Sequence, residues 1–270
     1  MNAALCNTIR MVDDTAFPEL HGVASGTVAL FTARCTGKDS PNEDSAALVC
    51  TEDGRGAIIM ADGFGGLPEG HRASQLAVSA VTDAVEASVN SGGELQAGVL
   101  AGFDAANHAV QELRLGAATT LAVVEIDGAI VRPYHVGDSE VMVVGQRGKL
   151  KLQTIAHSPV GYSVEAGLLR PSDALHHEER HVVSNMVGTT DMRIDVGPML
   201  SLRPRDTLVV ATDGLFDNLA PDEIIQLVRK GTLGSSAAAL VARCRHRMSG
   251  LSNDGPCKPD DLTLALFRLA

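Results

Sequence analysis

The sequence predicts an α+β fold of stacked layers, and two patterns carry that expectation. Strand-like and helix-like segments come in blocks rather than in strict alternation, which disfavours a parallel doubly wound sheet. Several strand-like runs also follow one another across short glycine-containing turns, which predicts mostly antiparallel pairing.

Taken in order, "TVALFTARC" (27–35), "SAALVC" (45–50) and "GAIIMA" (56–61) read as strands. Two helices follow. "ASQLAVSAVTDAVEASV" repeats Leu76, Ala80, Val81, Ala84 and Val85 at helical spacing, and 94–114 carries the stripe Leu95, Val99, Phe103, Ala106, Val110 and Leu113. A meander comes next, "TTLAVVEI", "AIVRPYHV", "EVMVVG" and "LKLQTI". Residues 156–200 are irregular and His-rich; then come a strand in "DTLVVATDG", helices in "PDEIIQLVRK" and "SSAAALVARCRHRM", and a closing strand "LTLALFRL". With 270 residues, 45% of them hydrophobic, and no repeat or linker, a single domain over 1–270 is expected.

Charge and composition narrow the function. The chain has 22 basic and 33 acidic residues, a net charge of −11, which argues against nucleic acid as a main partner. No Trp and 3% aromatics leave little for base stacking. Five cysteines without C-x-x-C read as reduced thiols. Neither a secretion signal nor a membrane-length apolar run is visible, so the expected location is cytoplasmic.

The stretch "IIMADGFGGLPEG" (58–70) holds the first functional signal. Asp-Gly between apolar runs is ordinarily a hairpin turn, and Asp53-Gly54 and Asp127-Gly128 read that way. Asp62-Gly63 is followed by a helix instead of a return strand. The pattern recurs: Asp213 ends a strand before Gly, Asp138 sits in a Gly-Asp-Ser corner, Glu43 and Asp44 precede one strand, and Asp260 and Asp261 precede the last. Converging, these carboxylates would form an all-oxygen site suited to Mg²⁺ or Mn²⁺ rather than Zn²⁺.

"NED", "MADGFGG", "GAATTLAVV", "HVGDSE", "ATDGLFD" and "PDDLTLALF" occur in the order and approximate spacing of the metal-dependent protein serine/threonine phosphatases (type 2C, PPM), and the chain resembles the bacterial members throughout, including a flap at about 156–200. The resemblance implies a four-layer α-β-β-α sandwich with metals at one edge of the two sheets. Asp62 matches the aspartate bridging two ions, Gly63 a carbonyl ligand, and Asp213 and Asp260 ligands of one ion. Glu43 and Asp44 match the acidic pair that holds metal-bound waters or the second ion, and Asp138 with Asp213 matches a third site. Catalytic Asp62, Asp213 and Asp260, two or three Mn²⁺ or Mg²⁺ ions, a bridging hydroxide as nucleophile, phosphoprotein substrates opposite a serine/threonine kinase, and a monomer are what it implies. Three positions depart from the family: Asp39 stands where an arginine grips phosphate, with Lys38 as a tentative substitute; Glu140 replaces an arginine; and Asp261 replaces an asparagine.

Two other readings compete. A pseudo-phosphatase or metal-binding regulatory module would keep the metals without turnover. "HEERH" (177–181) fits the zinc-protease helix motif, with His177 and His181 as ligands.

Overall fold

In a computed structural model, residues 5–11, 13–51, 54–64, 69–114, 116–250 and 255–270 are described. Strands β1 (Leu5–Met11), β2 (Glu19–Val23), β3 (Gly26–Ala33), β4 (Asp44–Thr51) and β5 (Arg55–Asp62) come first, followed by helices α1 (Gly70–Asn90) and α2 (Leu95–Gln111). The meander is β6 (Leu121–Asp127), β7 (Ile130–Val136), β8 (Glu140–Val144) and β9 (Leu150–Gln153). After β9 come α3 (Pro159–Glu165), α4 (Pro171–Ala174), β10 (Asp195–Val196) and β11 (Leu200–Ser201), across the region where the resemblance implies a flap. The chain ends with β12 (Thr207–Ala211), α5 (Asp213–Phe216), α6 (Pro221–Val228), α7 (Leu233–Met248) and β13 (Leu262–Leu269).

These strands form two antiparallel sheets. One runs β1-β4-β5-β6-β7-β10, with β11 also on β7; the other runs β2-β3-β13-β12-β8-β9. Alternation of side chains along each strand builds three apolar layers. Ala47, Val49 and Ile59 face Val81, Val85 and Phe103 of α1 and α2, while Ala46, Leu48 and Ile58 face Leu208, Val210 and Phe267 of the opposite sheet. Val209 and Leu264 on that sheet's outer face pack on Ile224 and Leu240 of α6 and α7. The order of layers is therefore α-β-β-α, as the resemblance implies.

Because both sheets are antiparallel, β4, β5, β12 and β13 bring strand ends from distant sequence to one edge. The expected strands and long helices are all present, with small differences at their ends. The N-terminal β1 and β2 were not expected from sequence. Among the described residues no helix is long and apolar enough to cross a membrane. Cys35, Cys244 and Cys257 are free thiols.

Candidate metal centre

Asp44 begins β4 and Asp62 ends β5, and the two are register partners directly across the ladder. Like charges so placed repel. The Asp44 carboxylate is buried, accepts from Thr212 Oγ1 at 2.9 Å through Oδ2, and leaves Oδ1 without a hydrogen-bond partner. Burial first, and then Asp44, Asp213, Asp260 and Asp138 in turn, push the Asp62 carboxyl well above the usual aspartate range. Carboxylates from four separate regions thus act on one residue.

Two adjacent threonines hold Asp62 in place. The Asp62 carbonyl accepts from Thr120 N at 2.8 Å and Thr119 Oγ1 at 2.7 Å, and its N–H donates to Thr120 Oγ1 at 3.0 Å. Thr120 Oγ1 lies 2.7 Å from Ser139 Oγ, tying the loop that carries Asp138 to the same point. "ATT" signalled this only as a strand entry, so the support was missed in sequence.

The two Asp-Gly steps of the site are close approaches, not turns. A Cβ on Gly63 would lie 2.0 Å from the Gly70 carbonyl oxygen, and one on Gly214 would lie 2.0 Å from that of Asp261. By contrast Gly128, in the two-residue loop after Asp127, has φ +55°, the left-handed geometry of a hairpin. Asp53 lies outside the described residues.

Lysines gather five further carboxylates into two groups. Lys258 Nζ meets Asp213 Oδ2, Asp217 Oδ2 at 2.8 Å and Asp260 Oδ2 at 3.1 Å. Lys38 Nζ donates to Glu43 Oε2 and Asp261 Oδ2, both at 2.7 Å. Asp261 also accepts from Glu43 N at 2.7 Å and Cys35 N at 2.8 Å, so its additional charge relative to asparagine is met locally. Asp39 is exposed. Burial and the neighbouring Asp213 raise Asp217 and Asp260 to about 6, and burial raises Glu140 to about 7 despite a 2.9 Å bond from Gln153 Nε2. Asp138 is pushed up by burial and by Asp213 and Asp217.

A divalent cation fits this donor set. The candidate donor atoms are all oxygen, two buried carboxylate oxygens (Asp44 Oδ1 and Asp213 Oδ1) have no hydrogen-bond partner, and Gly63 leaves its backbone open where a side chain would intrude. Beside the centre lies a cavity of about 630 Å³, lined by Asp138, Asp213 and Asp217 on one wall and by Val160, Leu175 and Arg180 of the flap on the other.

HEERH does not form a zinc site. Helix α4 ends at Ala174, and residues 175–181 run through turns, so His177 and His181 do not share a helix face. His177 Nδ1 instead accepts from Glu179 N at 3.1 Å. The spacing was suggestive only on the assumption of a helix. Another cluster, His135, His157 and Asp195, is explained by hydrogen bonding. His157 Nδ1 accepts from Gly137 N at 3.0 Å, which puts the proton of the neutral ring on Nε2, the atom 3.2 Å from Asp195 Oδ2.

Comparisons with known proteins agree with this geometry. A sequence model described as Protein phosphatase 2C matches residues 33–247. Protein phosphatase PhpP of Streptococcus pneumoniae is 28% identical over 224 residues, covering 80% of this chain and 90% of the relative. The serine/threonine phosphatase of S. agalactiae superposes with a TM-score of 0.72 at 29% identity, over 90% of this chain and 99% of that one. The catalytic domain of the serine/threonine protein phosphatase PstP, solved in complex with two manganese ions, gives 0.70 at 25% identity, over 89% and 96%. The chain belongs to the protein phosphatase 2C family. Members of that family are metal-dependent protein serine/threonine phosphatases.

Proposed function

We propose that this chain hydrolyses phosphoserine and phosphothreonine in proteins with two divalent cations, Mn²⁺ or Mg²⁺, which polarise the phosphoryl group and activate a bridging water for in-line attack. The observation that carries the reading is that Asp44 and Asp62 meet in register across β4 and β5 while Lys258 gathers Asp213 and Asp260 at the neighbouring strand ends. PstP, solved with two manganese ions, supports the metal count.

Asp62 would serve both ions, with the Gly63 carbonyl on one and Asp213 and Asp260 on the other. Glu43 and Asp44 would orient water on the acidic side, and Asp138 with Asp213 would take a third ion. Thr119 and Thr120 fix the Asp62 backbone, part of the preorganisation a metal site needs. Lys38 supplies the positive charge at the edge where Asp39 replaces arginine, and is the candidate phosphate contact there. The flap cavity would receive the peptide on either side of the phosphoresidue. We place the protein in the cytoplasm, as a monomer opposing a serine/threonine kinase.

The test is hydrolysis of a phosphothreonine peptide by the full chain. EDTA should abolish turnover and Mn²⁺ should restore it. Undiminished turnover in chelator would reject the reading. Metal uptake without turnover under any divalent cation would favour the pseudo-phosphatase or metal-binding module, which the Asp39 and Glu140 departures suggest.

A further inference from the structure

Lys258 belongs to none of the roles assigned above, yet it makes the densest set of ionic contacts in the centre. Its ammonium reaches Asp213, Asp217 at 2.8 Å and Asp260 at 3.1 Å, and its side chain is only 22% exposed. Asp213 and Asp260 are two of the carboxylates that would hold an ion. Asp217 is not one of the proposed ligands.

The backbone of Lys258 is also fixed. Buried Asn218 grips it from both sides: Lys258 N donates to Asn218 Oδ1 at 2.9 Å, and Asn218 Nδ2 donates to Lys258 O at 2.9 Å. Asn218 Nδ2 also donates to Gly214 O at 3.0 Å, and the Asn218 carbonyl accepts from buried Arg247 at 3.0 Å. Pro259 follows and restricts the Lys258 backbone further. The loop before β13 is therefore clamped to the segment carrying Asp213 and Asp217. A lysine on an unclamped loop could turn to solvent at little cost. Here the stem emerges at a set point beside the three carboxylates.

We infer that Lys258 is a built-in counter-cation of the metal-free centre, which an incoming divalent cation must displace from Asp213 and Asp260 onto Asp217. This rests on the metal-dependent reading given above. Two consequences follow from competition for the same oxygens. Lys258 stabilises the chain without metal, by offsetting like charges at the sheet edge. It also weakens metal binding, because its bonds to the ligand carboxylates are broken on uptake. The anchoring aspartate keeps the ammonium close after displacement, so its charge remains at the edge of the loaded site.

The experiment titrates Mn²⁺ calorimetrically into the metal-free full chain, wild type beside Lys258→Met and Lys258→Arg. Lys258→Met should bind Mn²⁺ about tenfold more tightly or better, the factor one charge-assisted hydrogen bond is worth. In EDTA its melting temperature should fall below that of wild type, and Lys258→Arg should behave like wild type in both measurements. Unchanged or weaker Mn²⁺ affinity in a folded Lys258→Met would overturn the inference, including the case in which only KM for the phosphopeptide rises, the mark of a phosphate contact. Amine acylation of the wild-type chain, read by mass spectrometry, covers the case in which the variant does not fold. Lys258, left with Asp217 alone instead of three carboxylates, should be labelled faster with Mn²⁺ than without it, while exposed Lys149 stays constant; an equal labelling rate of Lys258 in both states would reject displacement. Wild-type chain that takes up no Mn²⁺ at all would reject the metal-dependent reading itself, and is distinguishable from uptake that ignores Lys258.

Discussion

Asp44 and Asp62 face each other across adjacent antiparallel strands at the open edge of a sheet, and no lysine reaches either carboxylate among the described residues. Two like charges in register, Asp44 buried and Asp62 half-buried, are a cost that a bound cation removes. The double variant Asp44→Asn/Asp62→Asn should therefore melt higher than wild type in EDTA and lose the stabilisation that Mn²⁺ gives wild type. Differential scanning calorimetry with and without Mn²⁺ checks both halves. A double variant less stable than wild type in EDTA would show that the pair is structural.

The raised carboxyls give a pH dependence with a definite sign. Asp217 and Asp260 titrate near 6 in the fold, because of burial and then Asp213, against an ordinary value near 4. Their folded values are raised, so the stabilisation from holding these protons is complete below about 4 and is lost as pH rises through about 6. Metal-free protein should lose stability as pH rises from about 4 to about 6. Mn²⁺ uptake should release protons at pH 6 and fewer at pH 8, measured by calorimetry in buffers of different ionisation enthalpy. Equal release at both values would contradict this.

Replacement at the site glycines separates close approach from turn geometry. Gly63→Ala and Gly214→Ala each drive a Cβ to 2.0 Å from a backbone carbonyl, whereas a Cβ on Gly22 meets nothing within 4 Å. Overpacking of this kind costs about 1–3 kcal/mol or more. Both site variants should melt well below wild type, and Gly22→Ala should not. A Gly63→Ala protein as stable as Gly22→Ala would mean the strand end is not as tightly held as described.

In the reading proposed above, phosphate is captured at the edge where Asp39 stands in place of the arginine that the resemblance implies. Lys38 is already bonded to Glu43 and Asp261, so it offers charge with fewer free donors, and Asp39 beside it is exposed. An arginine there would add a bidentate, charge-assisted contact worth about 1.5–3 kcal/mol, roughly 10- to 150-fold. Asp39→Arg should raise kcat/KM on a phosphopeptide, chiefly through KM, and Lys38→Ala should lower it. Steady-state kinetics at fixed Mn²⁺ decide; no gain in Asp39→Arg with metals still bound would place phosphate capture elsewhere, with Arg180 of the flap the first residue to examine.

Much of the layered fold was legible because its strands and helices are long enough to carry a period. Val81, Val85, Val99 and Phe103 mark the helix faces, and the alternation in β6 and β7 marks the meander. The strand-end aspartates were legible for the same reason, since each follows or precedes a strong apolar run. The two-residue strands β10 and β11 were not, because two residues hold no periodicity and pair only when β7 is already in place. Lys258 and Asp217 escaped notice because their roles depend on the loop before β13 closing on α5 through Asn218, a tertiary contact without a local signature. HEERH, a competing reading only, is the opposite case, since its spacing has meaning on a helix and the chain there forms turns.

In the proposed reading Asp62 organises a catalytic metal centre, while the similar Asp127-Gly128 is only a hairpin. The direct test is kcat for a phosphothreonine peptide at saturating Mn²⁺ in Asp62→Asn and Asp127→Asn. Asp62→Asn should fall by about a hundredfold or more, since a direct ligand should be worth at least as much as an outer partner of a metal site. Asp127→Asn, at an exposed strand end, should stay within about twofold of wild type. Comparable rates for the two folded variants would contradict the account.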